Sequence, residues 1–148
     1  MCNYVQDYIY DSSGRVGIMY ARLNQEMVND TAKLIMHRLI SRSLMRDPTL
    51  VARAKESLFR ISIRFPDRSF IADWEKLLRL PARQLRARLT SRDQEMRRLR
   101  LSSPFVTAEG VNFHTEGVRR RIRRAARRIT ARSLRSDTSG EGIEPMAK

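Results

Sequence analysis

The chain has 148 residues, which is enough for one modest core with tails and too little for two independent domains. Its 30 Lys+Arg against 16 Asp+Glu give a formal charge of +14; such an excess gathers phosphate backbones and other polyanions, and so limits the class of partner without fixing a fold. Cys2 is the only cysteine, so an intramolecular disulfide and a multi-thiolate metal site are excluded, and a reducing, cytoplasmic setting is expected. Residues 1–10 carry Asp7 and no early Lys or Arg, and no apolar run approaches the ~20 residues of a membrane span. We therefore expect no secretion signal, no transmembrane helix and no membrane partner.

Residues 1–19 hold Tyr4, Tyr8, Tyr10, Gly14 and Gly17 without a helical period, and are expected to form an N-terminal arm, whether ordered, folded as a short hairpin around Ser12-Ser13-Gly14, or a disordered leader. From about Tyr20 to Arg46 the apolar residues Leu23, Met27, Leu34, Leu39, Ile40 and Leu44 recur at helical spacing. One long helix or two short ones fit, with Asn29-Asp30-Thr31 as the point of division. Asp47-Pro48 reads as an N-cap followed by proline in a first turn, where its missing N–H is no loss. The helix that follows has the clearest stripe in the chain: Leu50, Val51, Ala54, Leu58, Ile61 and Phe65. Pro66 stops it. Ser69 is then expected to cap a short helix bearing Phe70, Ile71, Trp74, Leu77 and Leu78, with Trp74 as a core anchor. Pro81 ends that helix and opens another through Leu85 and Leu89. Ser91-Arg92-Asp93-Gln94 matches a capping box for a helix with Met96 and Leu99, and Ser102-Ser103-Pro104 closes it.

Residues 106–117, with Gly110, read as a loop. Residues 118–135 then hold Arg119, Arg120, Arg121, Arg123, Arg124, Arg127, Arg128, Arg132 and Arg135 without one acidic residue. Val118, Ile122, Ala125 and Ile129 fall on one narrow face, so the segment is expected to be a helix with a thin docking stripe and a cationic remainder. Residues 136–148, rich in Ser, Gly and acidic side chains, read as a flexible tail. The expected architecture is all-α: a small multi-helix bundle over residues 20–105 with a basic C-terminal helix.

The chemistry follows from the arginines. A basic helix of this density neutralises several phosphates at once and releases their counterions, which makes nucleic acid, DNA before RNA, the expected partner. A helix-turn-helix over residues 70–90 would offer Arg83, Gln84, Arg86 and Arg88 to a groove, although its connection through Leu80-Pro81 has no turn glycine. Arg83 and Arg86 therefore join the candidate nucleic-acid contacts. The docking stripe of residues 118–135 is too thin for membrane insertion, with no Trp, Phe or Leu before Leu134.

Catalysis is not expected. His37 and His114 lie far apart and read as surface or capping residues, and no carboxylate or cysteine spacing suggests a metal or cofactor site. No glycine-rich phosphate loop, nucleophile elbow or paired carboxylate motif is present.

Residues 32–105 carry a family likeness. Arg38, Asp47-Pro48 and Ala52-Arg53-Ala54-Lys55 open it; Asp73-Trp74-Glu75-Lys76-Leu77-Leu78 forms its centre; Met96-Arg97-Arg98-Leu99-Arg100-Leu101-Ser102-Ser103-Pro104-Phe105 closes it. This run, about half the chain, resembles a helical module of small bacterial antitoxin-like and regulator-like proteins encoded beside toxin genes or on mobile elements. The resemblance implies an antitoxin or DNA-binding accessory role, with nucleic acid and a toxin as partners and homo-oligomers compatible with both. The chain departs from the pattern in lacking a clear helix-turn-helix and in continuing with the arginine segment. A competing expectation is a protein–protein interaction module that neutralises an acidic partner such as a toxin, with the arginine helix folding against it.

Overall fold

The computed structural model describes residues 16–113 and 115–138. Among these the secondary structure is all helical: α1 (Val16–Arg46), α2 (Leu50–Arg64), α3 (Ser69–Leu78), α4 (Ala82–Thr90), α5 (Gln94–Leu99), a 3-10 turn (Arg100–Ser102) and α6 (Glu116–Thr138).

α1 is a single helix of 31 residues. Asn29-Asp30-Thr31 does not divide it, because Thr31 lies against another helix, its hydroxyl 3.5 Å from that of Thr130 on α6. The helix also begins four residues inside the expected arm; the tyrosines of that arm lie outside the described residues. Among its described side chains Val28, His37, Ile40, Ser41 and Leu44 are buried, whereas Met27 is exposed and Leu34 and Leu39 are half-buried. α1 is thus the central element, packed against both α4 and α6.

The cap of α2 is displaced from Asp47 to Thr49, which makes no side-chain capping bond; the Asp47 carboxylate accepts the Thr49 backbone N–H at 3.1 Å and also bonds the Thr49 hydroxyl. Those bonds, the hydroxyl's first, hold the Asp47 carboxyl below the usual carboxylate range. Of the α2 stripe, Leu50, Ala54 and Leu58 are buried. Phe65 is not: the helix ends at Arg64, and the exposed ring has the Arg64 and Arg68 guanidinium carbons 5.4 and 6.0 Å from its centroid. Ser69 is the first residue of α3 rather than its cap, and Arg68 at the cap position makes no capping bond.

The cap of α5 is also displaced. Asp93 is the cap residue and accepts the Met96 N–H at 2.8 Å, while Ser91 bonds the Asp93 carboxylate instead of the helix backbone. A carboxylate three residues before a free N–H is the stronger acceptor there. The Ser91 bond is the first cause of an Asp93 carboxyl held below its ordinary value.

Trp74 anchors the core. It is fully buried, donates its indole N–H to the Leu99 carbonyl at 3.2 Å, and meets Phe105 edge-on at 6.0 Å and 71°. Around it gather Ile40, Leu58, Leu85, Leu89 and Met96. The core does not stop at residue 105. Ala108 is buried within it, and Val111 and Phe113 pack on its edge, carried there by turns closed by Ala108 N–H to Phe105 and Val111 N–H to Ala108 carbonyls. Part of the expected 106–117 loop is therefore structural.

His37 is neither a surface nor a capping residue. It is wholly buried, its Nδ1–H donating to the Lys33 carbonyl at 2.8 Å and its Nε2 accepting from the Ser103 hydroxyl at 2.9 Å. The two bonds satisfy both ring nitrogens of a neutral imidazole. Arg100 is likewise buried, its guanidinium donating to the Leu89 and Ser91 carbonyls at the end of α4, where a helix presents partial negative charge. His114 lies outside the described residues.

Candidate nucleic-acid interface

α6 runs for 23 residues, and one face of it docks on α1. Among its described side chains Ile122, Ala126 and Thr130 are buried, with Val118 and Ala125 half-buried and Ile129 exposed. The seam thus follows one i, i+4 row and differs from the expected stripe of Val118, Ile122, Ala125 and Ile129 in its last two members. Small Ala126 at its centre lets the two backbones come close, and the Thr31 and Thr130 hydroxyls face each other across it.

Away from that seam the helix is cationic. Arg119, Arg120, Arg121, Arg123, Arg124, Arg127, Arg128 and Arg132 are all exposed. At about 100° per residue they sweep roughly 220° of the helix circumference, along a track about 20 Å long from Arg119 to Arg132. Glu116 lies 2.9 Å from Arg120 Nε in an exposed i, i+4 pair that contributes little and exchanges readily for a phosphate. Arg135 belongs to the same helix; its side chain lies outside the described residues.

The two α4 candidates diverge. Arg83 is exposed, whereas Arg86 is half-buried and donates its Nε–H to the Ser41 carbonyl at 3.1 Å, tying α4 to α1. Arg88, also on the expected reading face, is paired with Asp93 at 3.1 Å and Glu95 at 2.6 Å. With Leu85 and Leu89 buried, only Arg83 and Gln84 of that face point outward. No sequence pattern marks Arg86 as a tie, because its acceptor is a backbone carbonyl 45 positions away.

Among the described residues no group of three His, Cys, Asp or Glu is placed to hold a metal ion, and no helix is long and apolar enough to cross a membrane. Comparison of the chain with protein-family models, with curated proteins and with solved structures finds no match.

Proposed function

We propose that the protein binds nucleic acid, duplex DNA before RNA, through the exposed arginines of α6. The observation that carries this reading is the docking of α6 by Ile122, Ala126 and Thr130, which leaves eight arginines outward on a helix seated against α1. Arginine forks match phosphate oxygens in pairs, and a rod held on α1 presents them without the ordering cost that a disordered basic tail would carry. Phosphate contacts fix register and supply affinity but read no sequence, so the binding this surface supports is general in sequence. Arg83 is the outward residue on α4 that can extend the contact; Arg86 is held by the fold.

The setting of an antitoxin-like or regulatory system rests on the likeness of residues 32–105 to such modules, and is proposed on that footing alone. The chemistry proposed is binding, with no catalytic step.

The test is a comparison of two full-length variants of equal charge. In one, Arg123, Arg124, Arg127 and Arg128 become Gln; in the other, the exposed Arg60, Arg79, Arg92 and Arg97 do. Fluorescence anisotropy with random duplex DNA should show at least about a hundredfold loss for the first and at most about tenfold for the second. Equal losses would mean that overall charge acts and α6 does not.

A further inference from the structure

We infer that the cleft between α1, α2, α3 and the 3-10 turn is a docking groove for an acidic amphipathic helix of a partner protein, independent of the phosphate reading of α6. The cleft has a volume of about 500 Å³, and Met36, Ile61, Phe65, Phe70, Leu101 and Val106 form its apolar walls. Leu101 is 64 % exposed and Phe65 44 % exposed, so two large apolar side chains stand at the rim, the Phe65 ring beneath the guanidiniums of Arg64 and Arg68. Clusters of this kind, bordered by charge, mark places where a partner's apolar ridge is seated.

Charge determines the kind of partner. Lys33 and Arg68 border the cleft, Arg64 stands over Phe65 beside Arg68, and among the described residues no carboxylate lines it. Arg100 lines it with its stem alone, since its guanidinium faces the end of α4. A helix with apolar residues at i, i+3, i+4 and i+7 and carboxylates on its flanks satisfies walls and rim together. A second copy of the chain is disfavoured because it brings a charge of +14 of its own.

The groove and α6 also open on different sides of α1. Thr31 meets α6, and Lys33 and Met36 lie roughly 200° and 140° around the helix from it. The two faces can be occupied at the same time.

The experiment uses a fluorescein-labelled peptide of about 18 residues, five helical turns, with Leu on one face and Glu elsewhere, and a scrambled peptide of the same composition. Anisotropy with the full-length protein should show the facial peptide binding at least about tenfold more tightly than the scrambled one. Leu101→Asp and, separately, Phe65→Ser should abolish that margin with the helical circular dichroism intact, both side chains being exposed. The variant with four α6 arginines changed to Gln should keep it. Equal binding of the two peptides, or a margin that survives both groove substitutions, overturns the inference. So does displacement of the facial peptide from the α6 variant by single-stranded RNA or by laurate, or a sedimenting dimer that Leu101→Asp dissolves; each gives the groove to another occupant.

Discussion

His37 carries the clearest consequence of a single residue's surroundings. Burial, opposed by the Lys33 carbonyl and reinforced by the nearby Arg100, pushes its imidazole down to about 4 from an ordinary value of 6.5. Because the folded value lies below the unfolded one, the unfolded chain binds the proton first. The stability is complete above pH 6.5 and is lost as pH falls from there toward 4. Urea denaturation at pH 7 and pH 5 should differ by about 2 kcal/mol from this residue. A His37→Gln variant, less stable at pH 7, should lose that part of the pH dependence; an identical pH slope in both proteins would place the buried proton elsewhere. Gly110 is a second case. Its φ of +80° is costly for any L side chain, and an added Cβ would stand 2.5 Å from Nη1 of Arg53, which Asp47 holds in an ion pair. Gly110→Ala should therefore lower stability by about 1–3 kcal/mol, read as a shift in the denaturation midpoint at unchanged slope.

At the scale of elements, α6 depends on one narrow seam. Ala126 is fully buried in it, so Ala126→Glu places an unpaired carboxylate against α1 and should release the helix. Limited trypsin digestion would then cut within residues 119–132 much faster than in the parent protein while the Trp74 fluorescence of the core persists. Concerted loss of both would mean that α6 is an integral part of the core. The seam also shows where sequence patterning stops. The borders of α2, α3 and α4 were legible from Pro48, Pro66 and Pro81, because proline acts on its own neighbours. Trp74 was legible because its apolar neighbours recur at helical spacing. The details set by distant partners were not legible. His37 is explained by Ser103, 66 positions away; Thr130 by Thr31, 99 positions away; and the unbroken α1 by the same contact. The caps at Thr49, Arg68 and Asp93 differ from expectation because a pattern of residue types does not say which oxygen reaches which N–H.

The whole molecule has two unlike surfaces on one small core: a rod of outward arginines and an apolar groove with basic edges. That arrangement suits a protein proposed to hold a polyanion on one side and an acidic partner on the other. The candidate arginines of 118–135 were found from the sequence because charge density is a local property. The groove was not, since Met36, Ile61, Leu101 and Val106 come together only in the fold. The central claim is that α6 works by displacing counterions from phosphates. The most direct test is the salt dependence of binding of the full-length protein to random duplex DNA by fluorescence anisotropy, with random single-stranded RNA beside it. The account predicts a straight log–log plot for the duplex with a slope of about −4 to −8, as several neutralised phosphates require. A slope near zero, or no binding to the duplex at low salt, would contradict it.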